Sequence, residues 1–392
     1  MKFLVPAMAA AMLCACGPVK DTSPQSVSAA PVLTAEEQAR VQKAGAEILF
    51  WSDDQRSANF RKMEDIFPGT VAHHGKVRVL PKGAPLNLSD EAVSAFMASQ
   101  NVAGLMVLQD GKVRLEKYAL GFAPDQRWTS FSVAKSFTST LVGAAVKDGY
   151  IRSIDDPVTR YVPELAGSGY DGVTVRQILT MTSGVKWNED YTDPQSDVVK
   201  MLSVPIAEGV DPNTAYLSKL PREAAPGSKW VYKTGETNLI GVIVARATGM
   251  QITDYAEQKI VKPAGFEGDL FWMIDTVGQN IGGCCLSIRL SDYARMGQFV
   301  LEGGKGQVPD GWFAEATSAQ ADIGRSGFGY GYQWWTYPAQ TYGAQGIFGQ
   351  AITIIPEKNM VIAAVSNWPR ASATELRMGQ LMFFKQLVEA AE

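Results

Sequence analysis

Histidine is almost missing from this sequence: its 392 residues hold two, adjacent at His73 and His74. They sit in a His-Gly-Lys-Val-Arg stretch that reads as surface, and no Cys, His or carboxylate cluster is spaced from them as zinc ligands would be. A histidine-based triad therefore has no base, and a metal centre has no ligand set. Cysteine is scarce too. Of four, Cys14 and Cys16 lie at the N-terminus, while Cys284 and Cys285 are adjacent, a spacing whose strained geometry rarely bridges, so no disulfide framework is implied. Lys and Arg number 36 against 40 Asp and Glu, a formal net charge of -4 with no basic footprint for phosphates, which argues against nucleic acid as a partner. Charged residues make up 19% and apolar ones 46%, the balance of a globular chain. No Pro/Ser-rich or charge-blocked stretch interrupts the middle, so interleaved lobes are expected rather than beads.

The apolar run from Phe3 to Leu13, behind Lys2, falls short of the ~20 residues that cross a bilayer and fits a signal peptide. Its ending, Leu13-Cys14-Ala15-Cys16-Gly17, resembles a bacterial lipobox, although Cys14 is unusual at its place in that pattern. The resemblance implies a lipid-modified Cys16 behind a signal peptide of residues 1–16, and membrane contact through that anchor only. Gly17 is not the Asp that retains lipoproteins at the inner membrane, so the expected address is the outer membrane, facing the periplasm. The alternative is an ordinary secretory signal cut at a nearby Ala, leaving a soluble periplasmic protein. Residues 17–35, rich in Ser, Pro and Ala, read as a flexible tether. Residues 36–87 form an N-terminal extension without a functional reading, and 88–392 a catalytic domain.

Val102 to Leu108 and Lys112 to Ala119 read as strands joined at Asp110-Gly111, a strong hairpin signal. Ser130 to Lys147, closed by Gly149, reads as a helix buried on most faces. Thr174-Val175-Arg176-Gln177 spells a capping box, and further helices are expected over Thr237 to Thr248 and Ser291 to Leu301. Strands return at Tyr330 to Thr336, Gly349 to Ile355 and Met360 to Ser366, before a last helix from about Ala373 to Val388. The fold class is therefore α/β in the α+β sense. An antiparallel sheet is built from both ends of the chain and flanked by helices, with a mainly helical lobe, about 150–325, inserted.

Without a usable histidine, a serine nucleophile needs Lys or Tyr to take its proton. Ser-x-x-Lys suits that chemistry because residues three apart share a helix face. The pattern occurs twice. Ser132-Val133-Ala134-Lys135 opens the long buried helix, whose N-terminal partial charge stabilises an oxyanion and disfavours a protonated amine. Phe131, Val133, Ala134 and Phe137 would bury Lys135, which is costly unless the amine has a role. Ser183-Gly184-Val185-Lys186 follows a helix C-terminus and has neither the field nor the geometry.

Thr129-Ser130-Phe131-Ser132-Val133-Ala134-Lys135-Ser136-Phe137 resembles the active-site helix of class C β-lactamases and of their esterase, DD-peptidase and 6-aminohexanoate-dimer hydrolase relatives. The likeness runs from about Leu88 to the C-terminus and includes Leu179-Thr180-Met181-Thr182-Ser183-Gly184, Pro226-Gly227 and Tyr330-Gly331-Tyr332-Gln333-Trp334-Trp335. It implies a β-lactamase/DD-peptidase-like fold. It implies a proton-transfer role for Tyr232, the tyrosine of the family's Tyr-x-Asn motif, whose Asn is Thr234 here, leaving the substrate-amide contact to Thr234. Lys233-Thr234-Gly235 spells the third family motif but leads into a helix, not a strand. The strand at Ala344-Gln345-Gly346-Ile347 fits that motif, with Ala344 where relatives carry Lys or His and with Gly346 kept. This places Gln345 and Gly346 against substrate, and the backbone N–H groups of Ser132 and Ile347 in the oxyanion hole. In the loop from Trp187 to Pro194, Tyr191 is either a substrate contact or the anchored aromatic of a solvated acidic loop.

These readings converge on a serine hydrolase acting on small esters or amides through a Ser132 acyl-enzyme, with Lys135 or Tyr232 taking the proton and no cofactor. A β-lactamase or DD-peptidase is the alternative within enzymes. A non-catalytic ligand-binding lipoprotein is the alternative outside them, and an intact Ser132, Lys135 and Tyr232 argue against it. The absent cation at Ala344 favours esters and amides over carboxylate-bearing β-lactams.

Overall fold

The computed structural model describes residue 27 and residues 33–201 and 211–391. The residues read as a signal peptide, Cys16 among them, lie outside the described residues, as do most of those read as a tether. Among the described residues twelve strands form two antiparallel sheets: β1 (Gly69–Ala72), β2 (Val102–Gln109), β3 (Lys112–Tyr118), β4 (Trp128–Thr129), β5 (Leu270–Met273), β6 (Leu286–Ile288), β7 (Ala321–Asp322), β8 (Gly329–Tyr330), β9 (Trp335–Thr336), β10 (Tyr342–Gln345), β11 (Ala351–Ile355) and β12 (Met360–Ser366). The larger has the order β3-β2-β12-β11-β10-β9-β8-β7, the smaller β1-β5-β6-β4.

The expected closure of the sheet by both chain ends is present, because β2 pairs with β12 from Gln109↔Met360 to Val102↔Ser366. The β2–β3 hairpin turns at Asp110 (φ 53°) and Gly111 (φ 70°), the left-handed pair that a two-residue turn requires. Met360, Ile362 and Ala364 face one core, with Phe383, Phe384 and Leu387 of the last helix, Thr374–Glu389. Val361, Ala363 and Val365 face the other core, with Leu290 and Tyr293 of the helix Leu290–Leu301. Burial on both sides explains why β12 is an unbroken apolar run.

Thr174 caps the helix Val175–Leu179 and Gln177 returns the bond, the expected reciprocal cap. Three expectations need correction. The helix placed at Thr237 to Thr248 begins one turn earlier, as Thr234–Thr248, and Gly249 closes it at φ 72°. The strand expected over Tyr330 to Thr336 is two short strands, β8 and β9, paired across a tight turn in which Gln333 takes φ 62° and Gly331 donates to Trp334. Cys284 and Cys285 are joined as a vicinal disulfide, against the expectation for adjacent cysteines.

Residues 36–87 are woven into the same body. Their strand β1 pairs with β5 from Gly69↔Met273 to Ala72↔Leu270. Arg56, buried on the helix Asp53–Asn59, donates to the Asn367 side chain at 2.6 Å just beyond β12. Phe60 is fully buried against Trp128, Phe131 and Phe348, with ring centroids 5.9, 5.0 and 5.4 Å away. Among the described residues no helix is long and apolar enough to cross a membrane.

Candidate active site

Ser132 sits in a single 3-10 turn, Phe131–Val133, that runs straight into the helix Ala134–Lys147. One turn on, Lys135 is 1% exposed and its Nζ lies 3.1 Å from Ser132 Oγ, as the Ser-x-x-Lys spacing requires. The same amine donates to the Gly283 carbonyl at 2.7 Å. Burial pushes its pKa down to about 8, and the distant charge of Glu189 only partly offsets this. A neutral fraction near physiological pH can therefore accept a proton.

Tyr232 completes the group. The Lys135 amine lies over its ring, 5.3 Å from the centroid. Trp335 stacks on that ring at 5.6 Å, and Tyr330 and Trp230 stand at 6.2 and 6.4 Å. The aromatic residues at positions 330 and 335 thus hold the tyrosine in place. Burial raises its pKa far above the usual phenol value; Glu189 adds to this, and a hydrogen bond with Ser132 opposes it. The phenol is a proton donor in the resting site.

Beside the serine, Gly346 directly follows the last residue of β10. A Cβ there would stand 2.5 Å from the Ser130 carbonyl oxygen, so only glycine lets this loop approach the turn that carries Ser132. Around Ile347 the backbone N–H groups are engaged: Gly346 donates to Gln350 and Phe348 to Ala371. Phe131 and Phe348, each next to an expected oxyanion donor, take left-handed φ of 43° and 58°. Non-glycine residues in that region cost ~1–3 kcal/mol each and persist where surroundings fix them. Here the two rings tilt together at 5.2 Å, with Phe60 against both.

Two cavities meet at Ser132, and Tyr191 and Ile347 line both. The wider, of about 300 Å³, also carries Tyr232, Gln345, Gly346 and Arg377. The narrower, of about 120 Å³, carries Thr234 and a largely apolar wall.

The structure therefore brings together Ser132, Lys135, Tyr232, Tyr191, Thr234, Gln345, Gly346 and Ile347. Two of them also bond to Glu189. The Thr234 hydroxyl is spent on Glu189, which also accepts the Thr234 backbone N–H at 2.9 Å. The Tyr191 hydroxyl donates to the same carboxylate at 2.7 Å, leaving its ring to face the cavities. Ala344 is 1% exposed on the core side of β10 and does not line the cleft.

Lys186 of the second Ser-x-x-Lys is exposed, and Ser183 bonds Glu236 instead. Lys233 is fully buried, 3.4 Å from Ser183 and 3.6 Å from Glu236, and serves the interior. His73 and His74 lie at the surface against Asp269. Among the described residues no group of three His, Cys, Asp or Glu is placed to hold a metal ion.

Sequence reasoning missed Glu189 and Arg377. Glu189 lies in the loop marked as acidic, and the signal was a carboxylate between Trp187 and Tyr191, both of which donate to it. Arg377 comes from the last helix, donates to the Gly346 carbonyl at 2.9 Å and sits over Trp368 at 4.7 Å. Burial lowers its pKa to about 10, so it stays charged at neutral pH. Nothing in its spacing announces it.

The β-lactamase sequence family matches residues 90–272. A 6-aminohexanoate-dimer hydrolase of Paenarthrobacter ureafaciens is 33% identical over 284 residues, which cover 67% of this chain and 72% of that protein. Among solved structures, a Bacillus anthracis protein assigned to the 6-aminohexanoate-dimer hydrolases superposes with a TM-score of 0.74 at 19% identity, covering 84% of this chain and 93% of its own. A class C β-lactamase superposes at 0.55 and 19% identity, over 77% of this chain and 95% of its own. These two structures speak to the fold alone.

Proposed function

Since this chain belongs to the β-lactamase family of serine hydrolases, we propose that it hydrolyses small linear esters or amides through an acyl-enzyme on Ser132. The observation that carries this reading is the buried Lys135 amine 3.1 Å from Ser132 Oγ with its pKa lowered to about 8. Neutral Lys135 takes the serine proton as Oγ attacks the carbonyl carbon, and the N–H groups of Ser132 and Ile347 meet the oxyanion. The phenol of Tyr232 protonates the leaving oxygen or nitrogen as the scissile bond breaks, and the phenolate recovers a proton from the Lys135 ammonium. Water then attacks the acyl carbon, gives its proton to neutral Lys135, and Ser132 leaves with a proton back from that amine.

The leaving group belongs in the wider cavity, because Tyr232 opens onto it. Arg377 supplies the cation there that Ala344 does not, although two of its N–H groups are already taken by Gly346 and Gln380. That engagement supports esters and amides over β-lactams, whose carboxylate relies on a free cationic partner. A panel of p-nitrophenyl esters, short linear amides and nitrocefin tests it. Higher kcat/KM for an ester or amide is expected; nitrocefin exceeding all of them overturns the assignment in favour of a β-lactamase.

The lipobox ending supports export and a lipid anchor on Cys16 as part of the same proposal.

A further inference from the structure

We infer that the narrow cavity behind Ser132 is an acyl-chain slot, closed by the N-terminal segment, that selects uncharged aliphatic acyl groups of about four or five carbons. This rests on Ser132 being the acylated residue. Tyr232, the leaving-group donor, lines only the wider cavity, so the acyl half of a substrate attacked at Ser132 extends into the narrower one.

The slot's walls say what it accepts. Ile48, Leu49 and Phe67, from the segment before the catalytic helix, line the slot together with Met201, Met273 and Ile281. The polar side chains on its walls are engaged elsewhere. Thr234 donates to Glu189, and Asn238 accepts from the Gly283 backbone at 2.8 Å while donating to Asn213 at 3.1 Å. Among the described residues lining it, none is charged. An ammonium or carboxylate carried in on the acyl chain would lose its water and find no partner.

Size sets the length. A dry cavity of roughly 150 Å³ takes a benzene ring, so about 120 Å³ takes a chain of four or five carbons. A 6-aminohexanoyl group is both too long for the slot and charged at its far end.

The test is a series of p-nitrophenyl esters from acetyl to octanoyl, with the 6-aminohexanoyl ester beside hexanoyl, on the full chain. Each methylene buried should raise kcat/KM about fourfold up to butanoyl or pentanoyl, followed by a plateau or fall. The 6-aminohexanoyl ester should run at least tenfold below hexanoyl. Gly45 lines the slot from the helix Ala35–Glu47, and a Cβ there meets no atom within 4 Å. Gly45→Leu, which helix propensity favours, should plug the slot and move the optimum shorter by at least one carbon. Leu49→Ala should move it longer. A flat series with acetyl ester still hydrolysed overturns the slot, as does a preference for 6-aminohexanoyl or an unmoved optimum in both variants. If no ester is hydrolysed and Ser132 resists a fluorophosphonate, the serine hydrolase reading fails with it.

Discussion

Replacing Lys135 by Met should stop turnover and change how stability depends on pH. The amine is 1% exposed, and burial lowers its pKa from 10.5 to about 8. With the folded value below the unfolded one, the unfolded chain binds more protons between about pH 8 and 10.5. Wild-type stability therefore gains from this group as pH rises through that window, and the cost is complete below it. At ~1.4 kcal/mol per unit, the cost is about 3 kcal/mol at pH 7 and under about 1 kcal/mol at pH 10. Methionine removes it but strips the Gly283 carbonyl and the Ser132 hydroxyl of their donor, a loss of about 1–3 kcal/mol that does not vary with pH. The two effects nearly offset at pH 7. The readable signal is the trend, because other titrating groups cancel between the two proteins. The stability of Lys135→Met minus that of wild type should fall by about 2–3 kcal/mol from pH 7 to pH 10 in urea melts of constant m-value. Wild-type kcat/KM should rise over the same range with an apparent pKa near 8. A pH-invariant stability difference would refute the desolvation of Lys135, and with it the case for a neutral amine as base.

Tyr232→Phe should cut kcat by roughly a hundredfold or more, the scale of lost acid-base catalysis, while the His73→Ala, His74→Ala double variant keeps near wild-type kinetics. A folded but inactive double-histidine variant would reverse that assignment. Gly346→Ala, whose methyl would collide with the Ser130 carbonyl, should lower kcat by about a hundredfold with KM little changed, the mark of a displaced oxyanion donor. An unaltered kcat would remove Ile347 from the mechanism. Mass spectrometry of the mature N-terminus should show a diacylglyceryl-modified Cys16; an unmodified N-terminus elsewhere would leave a soluble periplasmic protein.

The sheet could be read from sequence where a strand announces itself by turn and run, as at Asp110-Gly111 and Met360 to Ser366. It could not be read at Tyr330 to Thr336, because an apolar, aromatic run has no signature for the tight turn at Gln333 that splits it. Ser132 and Lys135 were legible because their relation is local, one helical turn, and needs no knowledge of packing. Tyr232 and Gly346 became legible through motifs. Thr234 and Tyr191 could be placed at the site from sequence, but not the bonds that both hydroxyls make to Glu189. Arg377 and the slot walls at Ile48 and Leu49 were invisible. They arrive from the last helix and the N-terminal segment, and only long-range packing puts them beside the serine.

The central claim, a covalent acyl intermediate on Ser132, is tested most directly by intact-protein mass spectrometry after rapid acid quench of a p-nitrophenyl butanoate reaction, followed by peptide mapping. The account predicts one added butanoyl group on the peptide carrying Ser132, formed more slowly in Tyr232→Phe and missing from Ser132→Ala. Turnover with the adduct on Ser183, or unchanged turnover in Ser132→Ala, would contradict it.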